Sequence, residues 1–157
     1  MGPAHPGVAT SLNNLATNCY AQGQYAQAEP LFTRALSIFR KALGSNHPNV
    51  AQCMSGLART RQALGKTEEA RRGFDGALAI LRRVSPEGSP LLARVLWQSA
   101  SARLDNKGEE DAAAALPELE EAVAMAEKFL KPEHPHLKEY RETLAKCEAA
   151  LAEPGKP

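Results

Sequence analysis

Between residues 8 and 19 the apolar side chains Val8, Leu12, Leu15 and Cys19 fall at i, i+4, i+7 and i+11, a spacing that gathers them on one face of a helix. Gly23 interrupts the pattern. Beyond it Ala28, Phe32, Ala35, Leu36, Phe39 and Leu43 form a broader stripe of the same period, which ends at Gly44 before Ser-Asn-His-Pro. The two stretches predict a helical hairpin over residues 6–46. Small Ala residues at the crossing let its helices approach closely, with Phe32 filling the gap between them.

The pattern then returns. Residues 5–16 read HPGVATSLNNLA and residues 47–58 read HPNVAQCMSGLA, an offset of 42 that aligns Leu15 with Leu57, Ala16 with Ala58, Gly23 with Gly65, Ala28 with Ala70, Phe32 with Phe74 and Ile38 with Ile80. A third copy opens at Ser89-Pro90 with Ala93 and Ala100 in register. Its second half runs three residues late, so that Ala115, Leu119 and Ala122 fill the slots of Ala70, Phe74 and Ala77, and the insertion is expected in the turn around Asp105–Glu110. His134-Pro135 begins a last helix. The expected organisation is a single domain over 1–157, with hairpins over 6–46, 48–88 and 90–133, a capping helix over 135–151 and a tail over 152–157. One hairpin cannot bury both its sides, so stacking of neighbours completes the core.

This periodicity decides how the His-Pro pairs are read. Pro is preset for the first turn of a helix, and Asn46 or His47 stands where a cap is needed; Ser89-Pro90 does the same job without a His. His5, His47 and His134 lie whole repeats apart, too far to share a metal at bond lengths of about 2 Å. No metal, cofactor or catalytic residue is expected: a Gly-rich phosphate loop, metal-spaced His or Cys and a Ser, His and Asp constellation are all missing from the sequence, which argues against an enzyme.

Composition agrees with an all-α chain. Aromatics make up 5%, and the 43% of hydrophobic residues are mostly Ala and Leu, which favours helices over a sheet rich in β-branched residues. No signal peptide and no run of 18 apolar residues can be read, so the expected compartment is the cytoplasm and no membrane partner is expected. Cys19, Cys53 and Cys147 are odd in number, without paired spacing, and read as small core residues in a reducing compartment. Net charge is +1 but unevenly spread. Residues 1–66 hold one acid against six Lys or Arg, and residues 109–157 hold twelve acids against six. That asymmetry suggests an acidic partner or head-to-tail contact between copies, a homo-oligomer in the second case.

The residues quoted resemble the tetratricopeptide repeats of the 42-residue kind found in kinesin light chain and nephrocystin-3-like proteins. The resemblance covers roughly residues 4–151 and rests on HPGVATSLNNLA, QGQYAQAEPLFTRALSIF and LGSNHPNVA, on the A-x3-F core at Ala28–Phe32 and Ala70–Phe74, and on the Leu-Ala pairs at 15–16 and 57–58. It implies a right-handed superhelical solenoid of three hairpins and a C-terminal capping helix. There are departures. The family's Tyr near the end of the first helix is Cys19, Arg61 and Arg103 here; the two Arg are expected to lay their stems on the hairpin and reach water or a nearby acid. Pro30 and Pro117 share a slot inside the second helix, as in the family's AEPL motif, which implies a tolerated bend. The long heptad segment of kinesin light chain is not in the sequence. The first copy carries Ser11 where later ones have Cys53, Val95 and Tyr140, and the last helix is rich in Lys, Glu and Arg; both are expected of the polar ends of a complete short array.

In this family the first helices line a concave groove that holds extended peptides. Carried over by motif, the lining is Thr10, Asn13, Asn14 and Thr17, then Gln52, Ser55 and Arg59, then Arg94, Trp97, Gln98 and Ser101. Asn amides can clamp a peptide backbone, Arg can fork onto a carboxylate, and a groove Trp can anchor an apolar side chain. The expected function is a non-catalytic scaffold binding an acidic or carboxylate-terminated peptide near Trp97. Two alternatives stay open: a self-assembling module using the basic N-terminal and acidic C-terminal ends, and an RNA-binding helical repeat. Low aromatic content and near-zero net charge disfavour nucleic acid. Trp97 could equally fill the core between the third and fourth copies, and the Lys partners of the chaperone-tail clamp are missing around Asn14.

Overall fold

The computed structural model describes residues 2–153, so the predicted tail from 154 onward lies outside the described residues. Its elements are seven helices: α1 (Pro6–Ala21), α2 (Tyr25–Leu43), α3 (Pro48–Ala63), α4 (Thr67–Val84), α5 (Pro90–Asp105), α6 (Glu109–Phe129) and α7 (Pro135–Ala152). Among the described residues there is no strand, and no helix is long and apolar enough to cross a membrane. The chain divides into two compact units, residues 1–86 with α1–α4 and residues 87–157 with α5–α7.

In the first unit α1 packs along α2, α3 along α4, and α3 also seats against α2, while α1 and α3 only touch. Ala9 and Ala16 on α1 and Ala51 and Ala58 on α3 are buried, as are Ala28, Ala35, Ala70 and Ala77 on the second helices. These short side chains bring the backbones close, and Phe32 and Phe74, 3% and 2% exposed, fill what remains. Gly56 is required by the seat of α3 on α2, since a Cβ there would lie 2.6 Å from the Phe32 ring. Leu15 departs from the predicted stripe and is 51% exposed. Its counterpart Leu57 is buried because α2 covers that side of α3, whereas α1 has no helix on that side among the described residues.

Each first helix starts on a capped Pro. The Nδ1 atoms of His5, His47 and His134 accept from the backbone N–H of Gly7, Asn49 and His136 at 2.9, 3.1 and 3.2 Å, and Ser89 Oγ accepts from Leu92 N–H at 3.0 Å. Of Asn46 and His47, therefore, His47 is the cap. The carboxylate of Glu29 on α2 holds two cations of the next hairpin, Arg61 Nε at 3.2 Å and Lys66 Nζ at 2.9 Å, and Arg61 also reaches Glu69 at 3.4 Å. Hydrogen bonding from Lys66 and Arg61 keeps the Glu29 carboxyl below its ordinary value, against the opposing effect of burial.

In the second unit α5 packs along α6, and α7 seats against α6. Ala93, Ala100, Ala115, Leu119, Ala122 and Ala126 are buried, and Cys147 donates its thiol to the Ala112 carbonyl at 3.3 Å. Arg103 Nε lies 3.6 Å from the Glu118 carboxylate, so both departing Arg residues find an acid. The slots that are Ala9 and Ala16 in the first copy are Lys138 and Ala145 on α7, both exposed, leaving that face of α7 charged.

The insertion of the third copy is placed differently from expectation. All three hairpin turns are three residues long, 22–24, 64–66 and 106–108, and the added residues extend α6 by a turn at Glu109, Glu110 and Asp111. Acidic residues suit a helix N-terminus, where they face the positive end of the backbone dipole. What changes in the turn is the residue at its centre: Gly23 and Gly65 adopt φ of 75° and 79°, and Lys107 adopts 57° in the same slot. A side chain in this region costs roughly 1–2 kcal/mol.

Lys107→Gly is therefore expected to raise the thermal midpoint by about 2–4 °C, corresponding to about 1 kcal/mol, as read by circular dichroism. Glu29 makes a second expectation. Because its folded pKa is depressed, its contribution is present above the unfolded value of about 4.3 and is lost as pH falls through the folded one. Glu29→Gln is expected to lower the urea midpoint at neutral pH, and its difference from the wild type is expected to shrink as pH falls below the unfolded value and through the folded one.

Candidate functional site

In the first unit the predicted lining separates into exposed and buried sets. Thr10, Asn14, Thr17 and Gln52 are exposed. The hydroxyls of Thr10 and Thr17 donate to the carbonyls of Pro6 and Asn13, at 3.0 and 2.8 Å, one turn back on their own helix. Each keeps its lone pairs available as an acceptor. Asn13 is half-buried, its Oδ1 enclosed and without a hydrogen bond. Ser55 is 4% exposed and donates to the Gln52 carbonyl at 3.0 Å, so it offers nothing to a ligand. Arg59 is half-buried, with its guanidinium 4.4 Å from the centre of the Tyr20 ring. That contact ties α3 to the end of α1 and fixes the orientation of the cation while leaving its charge uncompensated by a carboxylate.

The second unit brings the remaining four together on α5. Arg94, Trp97, Gln98 and Ser101 are all half-buried, and Gln98 Oε1 and Ser101 Oγ are enclosed without a hydrogen bond. Trp97 leans onto α7. Its Nε1–H donates to Thr143 Oγ1 at 2.9 Å, Thr143 in turn donates to the Glu139 carbonyl at 2.9 Å, and the indole stacks on the Tyr140 ring at 5.3 Å and 22°. Tyr140 is 2% exposed and continues the stack to His136, with ring centres 6.2 Å apart; Glu139 lies 3.6 Å from His136 Nδ1. Burial pushes the Tyr140 phenol up to about 12, partly offset by the positive charge of Arg94 nearby. Arg94 itself makes no ion pair among the described residues. Trp97 thus packs against the core where α5 meets α7 and still keeps part of its surface open.

Tyr140 packs against the preceding hairpin, and sequence reasoning missed Thr143 as the neighbour of Trp97 and His136 as the neighbour of Tyr140. The signal was present as the i, i+4, i+7 spacing of His136, Tyr140 and Thr143 on one face of α7. Tyr20 was also missed, and only contact with Arg59 singles it out. The cysteines are free and buried, and burial pushes the Cys53 thiol up to about 12, the behaviour of inert core residues. Among the described residues no group of three His, Cys, Asp or Glu could hold a metal ion.

Residues 7–83 match the family model of the tetratricopeptide repeat. No curated protein matches the sequence. Among solved structures the chain is similar to the nearly identical tetratricopeptide-like repeats of a kinesin light chain-like protein from Podosopora anserina, at 28% identity and TM-score 0.74, over 97% of this chain and 71% of that one. It is also similar to a tetratricopeptide-like protein of Chlorobium tepidum, at 25% identity and TM-score 0.74, over 98% of this chain and all of the other. BtubC from P. vanneervenii shares the fold at 20% identity and TM-score 0.81, over 94% of this chain and 58% of its own. With the 42-residue period, the A-x3-F cores and the stacked hairpins, these likenesses support a tetratricopeptide repeat protein of the kinesin light chain type.

Proposed function

We propose that this chain is a non-catalytic scaffold that binds an extended acidic peptide segment, anchored in the second unit at Arg94 and Trp97. The observation that carries this reading is the pairing of Arg94, a cation without an ion-pair partner, with a Trp97 ring held in place by Thr143 and Tyr140. A prearranged aromatic ring loses little freedom when an apolar side chain settles on it. A neighbouring guanidinium supplies two parallel donors for a carboxylate. Tetratricopeptide proteins are in general protein-interaction modules, which is the class of function the fold supports. Thr10, Asn14, Thr17, Gln52 and Arg59 give the first unit a polar, cationic surface of the same character, with acceptors and donors suited to a peptide backbone.

Titration with a library of short acidic peptides, followed by Trp97 emission, tests the proposal. A saturable spectral shift is expected, weakened about tenfold by Arg94→Ala, the equivalent of one charge-assisted hydrogen bond, and abolished by Arg94→Glu. A full library without a shift, or a shift indifferent to both substitutions, overturns it. The anchor's geometry has its own check. Thr143→Val keeps the volume but leaves the indole N–H without its acceptor, and is expected to destabilise the protein by about 1–2 kcal/mol and to move Trp97 emission in the absence of any peptide.

A further inference from the structure

The two compact units carry opposite charge. Residues 1–86 hold ten Lys or Arg against four Asp or Glu, a balance of +6, and residues 87–157 hold nine against fourteen, a balance of −5. Within the first unit the acids are largely engaged: Glu29 holds Arg61 and Lys66, Glu69 shares Arg61, and Glu68 holds Arg71 at 2.6 Å. Arg40 and Lys41 at the end of α2 and Arg83 at the end of α4 are exposed and pair with no carboxylate among the described residues.

These three cations form one edge. Arg83 crosses to the loop after α2 and donates to Asn46 Oδ1 at 2.7 Å, which brings the end of α4 against the end of α2. Arg40 is steadied by Met54 Sδ at 3.7 Å. A single basic residue at each helix end would suffice to meet the negative pole of the backbone dipole. The second one at each end, and the fixed posture of Arg83, exceed that need.

A complementary surface is present on the other unit. The extra turn of α6 is Glu109, Glu110 and Asp111, which the first two repeats lack. Glu109 and Glu110 are exposed and without an ion pair among the described residues, whereas Glu118, Glu127 and Glu142 are taken by Arg103, Arg141 and Lys138. Packing does not call for the inserted pair, since neither side chain enters the core. We infer that the Arg40, Lys41 and Arg83 edge of one copy docks on the Glu109 and Glu110 turn of a second copy, a head-to-tail contact between unlike surfaces. Such a heterologous contact repeats from copy to copy into rings or open chains instead of stopping at a symmetric pair. It involves neither Arg94 nor Trp97, and it stands or falls separately from the peptide site.

Sedimentation of the wild-type chain across a concentration series tests it at salt near 0.1 M and near 1 M, where charges are screened over about 10 Å and about 3 Å. The expected result is a weight-average mass that climbs beyond twice the monomer at the lower salt and falls back to the monomer at the higher. Two charge-reversed proteins give the contact its address: one carries Lys41→Glu and Arg83→Glu, the other Glu109→Lys and Glu110→Lys. Each alone is expected to stay monomeric at the lower salt. Mixed in equal amounts they are expected to associate again, because the native turn of the first meets the native edge of the second and the two reversed surfaces are themselves complementary. A monomeric wild type at both salts, association that persists at 1 M, reversed proteins that each associate alone, or a mixture that stays monomeric would each overturn the inference.

Discussion

The closeness with which two helices can approach governs everything else in these repeats. Ala at the crossing slots of α1 through α6 and Gly56 where α3 meets Phe32 remove the side-chain bulk that would hold the backbones apart. Dispersion and burial then act over a wide contact with few large residues, which is how a chain with 5% aromatics builds a core within each unit. The same requirement explains where polar residues go. Once small residues occupy the crossing, larger polar ones are displaced to the flanks of each first helix, and those flanks are the surface a ligand can meet.

Charge works as a fastener between hairpins. Glu29 joins α2 to Arg61 at the end of α3 and to Lys66 in the following turn, positions that the family fills with an aromatic packing contact in the first case. The substitution of Arg for Tyr therefore trades buried apolar area for an ion cluster on the rim of the hairpin. Partial exposure limits what such a cluster contributes, and its value depends on pH and salt in a way a Tyr would not. Arg103 and Glu118 make the same exchange within one hairpin of the second unit, joining α5 to α6 at a longer 3.6 Å.

Trp97 has two roles that a sequence presents as alternatives. Its indole N–H and one ring face are committed to Thr143 and Tyr140 on α7, which makes it part of the packing, while the residue stays partly exposed, one helical turn along α5 from Arg94. A rigid aromatic ring with a bound polar edge is better suited to anchoring a partner than a free one, since its ordering is complete before binding. The last helix thereby acts on the candidate site.

The amino-acid sequence by itself determined the helices, their pairing into hairpins and the places where they start and stop, because a 42-residue period, helical spacing of Ala, Leu and Phe, and Pro, Gly and His at fixed slots are local signals. It also marked Arg94, Trp97 and the polar flank of each first helix as candidates. Only tertiary structure decided which of the two cap candidates at 46 and 47 bonds the helix, that Leu15 is bare while Leu57 is covered, that Ser55 is sealed, and that Thr143 and Tyr140 stand against Trp97. The added residues of the third copy likewise entered the helix and not the turn. In each case the answer depends on what lies across a helix–helix contact, and a pattern along one helix carries no record of its neighbour.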